Sequence, residues 1–320
     1  MAKAIDIITN MKSQTFGVEI ECYGISRRHA AKAAAQFFGT GDFRDTAHRN
    51  GYRCWSAYDS QGREWKFEYD SSIIAASDAT RCEMVTPILT YEDMDLLQGV
   101  IRRLRKAGAK SDPDHSCGIH VHIGAKGHTA KTLKNLVNIF SNNEDIISEA
   151  LEITRDRRRW CEKTSASFKE KLNTENPGTL DGLADVWYGT QGDYNRSSHY
   201  HSSRYHMLNL HSTFTKGTIE FRCFQFDSIR RIREADRKCG LHAGQVKAFV
   251  QFAMAISQLA KETKFTRANR KESSIPSLWK MRNLLNSLGF QGKEFKTCRA
   301  VFTRALSGTT ASENEIRQEA

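Results

Sequence analysis

The sequence predicts an α+β fold, a largely antiparallel sheet with helices packed on one side. Three observations carry that expectation. The elements run strand, helix, two or three strands, helix, strand, helix, then a strand pair followed by helices. Two pairs of strands are joined by short connections, Asp59-Ser60-Gln61-Gly62 and His211 to Gly217, which suits antiparallel neighbours. Several strands alternate apolar and polar residues, the pattern of a sheet with one buried face.

Taken in order, residues 15–23 read as a strand and 26–38 as an alanine-rich helix capped by Ser26. Residues 52–58 and 63–69 form a hairpin, and 80–87 a strand closed by Pro87. Residues 91–107 are an amphipathic helix stopped by Gly108. A strand over 117–124 and a helix over 129–151 follow. From 155 to 201 the pattern weakens into Pro177-Gly178, Gly192-Asp193 and Asn195-Arg196-Ser197-Ser198, which are loop signals. Residues 164–203 therefore read as a substrate lid or as a poorly ordered insertion. Strands over 204–210 and 218–226 precede a helix over 230–261. Past 263 the chain is basic and polar, with one helix over 276–288 and a frayed tail from 307. The expected organisation is a catalytic domain over 1–262 and a basic helical extension over 263–320.

Composition narrows the classes. No run approaches the ~18 apolar residues of a membrane span, and residues 1–10 lack a signal-peptide core. A cytoplasmic protein is the expectation. Eight cysteines are too scattered for a CxxC pair, so they read as buried thiols in a reducing compartment. The net charge of +11 permits nucleic acid or another polyanion as a partner without requiring one.

The chemistry lies in three segments: Phe16-Gly17-Val18-Glu19-Ile20-Glu21, Cys117-Gly118-Ile119-His120-Val121-His122-Ile123 and Thr218-Ile219-Glu220-Phe221-Arg222. Alternate side chains of a strand face the same way. Glu19 with Glu21, His120 with His122, and Glu220 with Arg222 each share a face, backed by Val18, Ile20, Ile119, Val121, Ile219 and Phe221. Glu83, Asp70 and Arg204 extend the set. Carboxylates from several strands suit Mg²⁺ or Mn²⁺, and an arginine fork suits phosphate or carboxylate. Metal, arginine and phosphate together are the equipment of phosphoryl transfer.

Each pair alone has a plainer reading: a solvated acidic face, a structural histidine pair, a same-face salt bridge. Two further functions stay open on these residues. His120 and His122 with a distant acid are a legitimate zinc pattern for a hydrolase. The basic clusters could grip nucleic acid in a protein without catalysis.

The ordered motifs resemble the amidoligase family, ATP-dependent carboxylate–amine ligases related to glutamine synthetase and glutamate–cysteine ligase. The matching pieces are Thr15 to Glu21, Asp70-Ser71-Ser72-Ile73, Cys82-Glu83-Met84-Val85-Thr86-Pro87, Cys117 to His122, Arg204 to Leu210 and Thr218 to Arg222. The resemblance runs from about 15 to 260. It implies a curved antiparallel sheet of the glutamine-synthetase catalytic type, helices on its outer face and a polar concave face. It implies ATP and Mg²⁺ (or Mn²⁺), with Glu19, Glu21, Glu83, His120 and Glu220 on the metals. Glu19, Arg204, Asn209 and Arg222 would contact the nucleotide. Arg222, Arg204 and His122 would serve the reaction, with Asp70 as a base by analogy. The substrates implied are a carboxylate and an amine, small molecules or peptides.

Overall fold

The computed structural model describes residues 2–190, 195–198, 200–235, 240–269 and 274–307. Along the chain the elements are α1 (Ala2–Met11), β1 (Phe16–Tyr23), α2 (Arg27–Phe38), β2 (Phe43–Asp45), α3 (Ala47–Asn50), β3 (Trp55–Tyr58), β4 (Glu64–Glu68), β5 (Arg81–Val85), α4 (Met94–Lys106), β6 (Ile119–Gly124), α5 (Ala130–Ser141), α6 (Glu144–Ala150), α7 (Arg155–Arg158), α8 (Ala166–Glu175), α9 (Leu180–Gly189), β7 (Leu208–Asn209), α10 (His211–Lys216), β8 (Thr218–Phe224), α11 (Ile229–Glu234), α12 (Ala243–Glu262), α13 (Ser277–Ser287) and α14 (Lys296–Thr303). The mix of helices and antiparallel strands is the one the sequence predicts. Two compact units result. The first, here the sheet unit, holds Thr15–Val121 and Phe224–Lys247. The second, the helical unit, holds the described residues of 1–14, 122–223 and 248–320. The chain passes from one to the other inside β6 and again inside α12.

In the sheet unit the strand order is β2-β3-β4-β5-β1, with the first half of β6 next to β1. The pairs β2–β3, β3–β4, β4–β5 and β5–β1 are antiparallel. The apolar residues at alternate positions are buried: Trp65 and Phe67 of β4, Cys82 and Met84 of β5, and Phe16, Val18 and Ile20 of β1. Helix α2 packs on β3 and β4, and α4 packs on α2. The Phe38 ring lies 5.3 Å from Trp65, so the helices cover the apolar face of these strands. Ser26 caps α2 by accepting the His29 N–H, and Gly39 ends it in the left-handed region at φ 76°. Gly99 on α4 leaves room for the Phe37 ring, which a Cβ at 2.1 Å would force to turn away.

In the helical unit β8 pairs antiparallel with β7, Leu208 opposite Phe221 and Asn209 opposite Glu220. The second half of β6 lies on the other side of β8. Phe140 of α5 meets Phe221 edge-on at 5.4 Å. Residues 248–256 of α12 are buried on every side, the pattern of a central helix. Phe252 stacks on Phe302 of α14 at 4.4 Å.

Several boundaries differ from the sequence expectation. The helix expected over 129–151 breaks at Asn142 and Asn143 into α5 and α6. The stretch read as loop holds α7, α8 and α9, the last two started by Ser165 and Thr179 caps. Helix α8 buries only Phe168 and Leu172, too narrow a stripe to stand out from its polar sequence. The strand over 204–210 shrinks to β7, and Arg204 sits in a 3-10 turn. The helix over 230–261 is two, α11 and α12. Helix α14 lies in the extension where only α13 was expected. Seven cysteines are free and buried. Cys239, the tail from 308 and parts of the expected lid (191–194 and 199) lie outside the described residues. No described helix is long and apolar enough to cross a membrane.

Glu144, at the start of α6, is 3% exposed. It accepts the Thr164 N–H at 3.1 Å to each oxygen and the Thr164 hydroxyl at 2.8 Å. Burial outweighs these bonds and pushes its carboxyl up to about 7. A raised folded-state value favours the folded protein below the ordinary carboxylate range, and that contribution is lost as pH rises through 7. The loss amounts to about 3 kcal/mol. Urea unfolding at pH 5 and pH 8 is expected to show a pH-dependent loss in the wild type that Glu144→Gln lacks. Equal pH slopes in the two proteins would refute it.

Candidate active site

The antiparallel register of the sheet unit lines up acids. Glu21 of β1 stands opposite Glu83 of β5, and Glu83 stands opposite Glu68 of β4. The flanking row, Ile20–Met84–Phe67, is core. Three carboxylates thus sit side by side on the face away from α2. Like charges directly opposite on a sheet are destabilising. Burial first, and then the carboxylates of Glu19, Asp70, Glu21 and Glu68, push the Glu83 carboxyl well above the usual carboxylate range. A cluster that must otherwise take up protons is a natural seat for a cation. Asp70 follows β4 and accepts the Ser72 N–H at 2.6 Å, an Asx turn that fixes it beside the row.

His120 of β6 joins the acids. Its Nδ1 is 2.9 Å from Glu19 Oε2, and its Nε2 is 3.8 Å from Glu21 Oε1. With Nδ1–H donating to Glu19, Nε2 presents its lone pair, the arrangement in which a carboxylate orients a metal-ligating histidine. The Gly118 N–H donates to Glu21 Oε2 at 2.6 Å and holds that side chain. Ligand atoms of Glu21, Glu83 and His120 lie within 4.8 Å of one another. This set of hard oxygens with one imidazole fits Mg²⁺ or Mn²⁺ better than zinc, which favours nitrogen and sulfur.

The helical unit places the remaining residues. Glu220 of β8 is buried. Its Oε1 accepts Arg222 Nη1 at 2.5 Å and its Oε2 accepts Asn209 Nδ2 at 2.7 Å. His122 Nε2 is 3.9 Å from Glu220 Oε1, while its Nδ1 bonds the Thr218 hydroxyl at 3.0 Å. The Arg222 guanidinium lies 5.8 Å from the Tyr205 ring and donates through Nε to the Trp160 carbonyl at 3.4 Å. Buried Arg157 clamps the same residue from behind, donating to the Arg222 carbonyl at 3.2 Å. Arg204 lies over the rings of Tyr200 and Tyr205. Together with Asn209 and Glu220 it lines a cavity of about 170 Å³.

Every site residue expected from the sequence falls into one of these two clusters. Glu19, Glu21, Asp70, Glu83 and His120 gather in the sheet unit, and His122, Arg204, Asn209, Glu220 and Arg222 in the helical unit. Glu68, Arg157 and Lys216, which also lines the cavity, were missed. Glu68 alternates with Trp65 and Phe67, yet only its register with Glu83 gives it meaning. Arg157 is hidden in a basic run that reads as surface.

Residues 12–257 match the sequence model of a family described as "Putative amidoligase enzyme". The chain belongs to the amidoligase family. That description supports an amide-forming ligase reaction in general terms. No curated protein matches the chain. Among solved structures, a bifunctional glutathione synthetase from Pasteurella multocida is similar at 12% identity with a TM-score of 0.44, over 99% of this chain and 51% of that one. The chain spans about half the length of that protein.

The opposed carboxylates predict two linked effects of Glu83→Gln. The metal-free variant should melt at or above the wild type, with the gain growing as pH rises, because glutamine removes the charge that burial and the neighbouring acids disfavour at residue 83. The rise in melting temperature that Mn²⁺ gives the wild type should shrink or vanish. Thermal melts with and without Mn²⁺ check both. A variant less stable without metal, or equally stabilised by it, would sink the cation reading.

Proposed function

We propose that this amidoligase is an ATP- and Mg²⁺-dependent carboxylate–amine ligase that works through an acyl phosphate, on a curved sheet of the glutamine-synthetase type. The observation that carries the reading is the row of opposed carboxylates, Glu68, Glu83 and Glu21, closed by His120. Such a row stores negative charge that a divalent cation neutralises. Glu19, Glu21, Glu83, His120 and Glu220 are the residues we assign to metal. Bound there, Mg²⁺ supplies charge neutralisation to a triphosphate. Its oxygen-rich seat favours this cation over the zinc of a hydrolase.

The reaction needs activation because a free carboxylate is a poor electrophile. The substrate carboxylate attacks the γ-phosphorus of ATP, the bond to the β-phosphate oxygen breaks, and ADP leaves. The amine nitrogen then attacks the acyl carbon, the C–O bond to phosphate breaks, inorganic phosphate leaves, and nitrogen gives up a proton. Arg222 holds the transferring phosphoryl group. Its guanidinium is already fixed by Glu220, Trp160 and Tyr205, so little reorganisation is needed. Arg204 meets phosphate or substrate carboxylate from the cavity wall, and His122 lies beside Glu220 at the same strand end. Asp70 is the acid we assign as base for the amine, by family resemblance. The catalytic domain is taken as residues 1–262 and acts in the cytoplasm, and the segment over 164–203 serves as the lid, supported by Ser197 on the Arg204 cavity.

Calorimetric titration with ATP tests the reading. Binding is expected with Mg²⁺ and not without it. Arg222→Lys keeps the charge but loses the fork and should weaken binding about 10- to 100-fold. Glu21→Gln should abolish the Mg²⁺-supported binding. Tightly held zinc on metal analysis, with no nucleotide bound, would replace this function with the hydrolase.

A further inference from the structure

The cavity beside Glu220 is built for a small ligand with charges of both signs. At about 170 Å³ it is below the ~300–1,000 Å³ of pockets for drug-sized molecules. Its floor is formed by buried Asn209, His211, Ser212 and Glu220, and its mouth by exposed Lys216, Thr215 and Ser197, with Arg204 half-buried between them.

The floor asks for a hydrogen-bond donor. Asn209 is 2% exposed. Its orientation is set by Glu220, since only the amide nitrogen can donate to the carboxylate. The amide oxygen is therefore committed as an acceptor, and it is buried with no hydrogen-bond partner among the described residues. A buried acceptor left without a donor costs about 1–3 kcal/mol. Glu220 beside it adds negative charge. His211 contributes none of either sign: the Tyr188 hydroxyl is 2.7 Å from Nδ1, and burial holds the imidazole below its usual value. The mouth asks for the opposite. Lys216 and Arg204 are its cations, with the hydroxyls of Ser197 and Thr215 beside them.

Resting on the ligase reading above, we propose that this cavity is the amine-substrate site and that the amine is an amino acid. Its nitrogen points inward to the Asn209 amide oxygen and Glu220, and its carboxylate points outward to Arg204 and Lys216. That direction brings the nucleophile towards Glu220 and Arg222, where the phosphoryl group is handled, and keeps the substrate's own carboxylate away from it. The assignment moves Asn209 from the nucleotide and Glu220 from the metal, where family resemblance puts them, to the amine.

Titration calorimetry on the full chain tests this, with the twenty standard amino acids one at a time. Each binder is then compared with its decarboxylated and deaminated counterparts (ethylamine and propionate for alanine). Inorganic phosphate and ATP with Mg²⁺ are titrated in parallel. At least one amino acid should bind, each counterpart should bind ten-fold or more weakly, and Lys216→Ala should weaken the amino acid about ten-fold. Asn209→Leu should do the same; if it fails to fold, Lys216→Ala and the counterparts still decide. Amino acids that do not bind while phosphate does, equal binding of the simple amine, or binding indifferent to Lys216→Ala would each overturn the proposal. ATP·Mg²⁺ binding without any amino acid removes this inference and keeps the ligase. An amino acid without ATP·Mg²⁺ keeps the pocket and removes the ligase.

Discussion

Everything in the sheet unit turns on one constraint: three carboxylates, Glu68, Glu83 and Glu21, are held opposite one another by the register of β4, β5 and β1. The repulsion cannot relax by slippage. A shift of one residue would turn Trp65, Phe67, Met84 and Ile20 out of the core and the acids into it. The magnitudes decide the matter. Burying each large apolar side chain is worth about 1.5–3 kcal/mol, whereas each cross-strand like-charge contact costs about 0.2–1 kcal/mol. The apolar face that packs under α2 therefore dictates where the acids stand, and their mutual repulsion is left for a cation to offset.

The helical unit solves a different problem with the same geometry. Glu220 and Arg222 share a face of β8 and are both buried. A buried ion pair is tolerable only when its other valences are met. Here they are: Asn209 serves the second oxygen of Glu220, and Trp160 and Tyr205 receive the rest of Arg222. Arg157 holds the backbone of that residue in place. The cost of dehydrating an arginine is met during folding, so its charge is in place before any phosphate arrives.

How much was legible follows from the range of each signal. The spacing of two in Glu19-x-Glu21, His120-x-His122 and Glu220-x-Arg222 is a local property of strands, and the structure keeps every such pair on the strand that the alternation predicts. The family followed from the order of those motifs. Glu68 was not legible because its role depends on pairing with Glu83, fifteen residues away across a turn. Arg157 and Lys216 were hidden for the opposite reason: charge on a short helix reads as surface until the packing around it is known. Helix α8 was lost because its apolar stripe is thin, and α9 because its sequence sits among loop signals, although Ser165 and Thr179 signalled both starts.

Strand β6 carries one histidine into each cluster. His120 bonds Glu19 and approaches Glu21, while His122 bonds Thr218 and approaches Glu220. Val121 between them is fully buried on the other face. A single inserted residue between the histidines would leave one imidazole in the polar layer and drive the other into the core. The strand period therefore decides which imidazole each cluster receives.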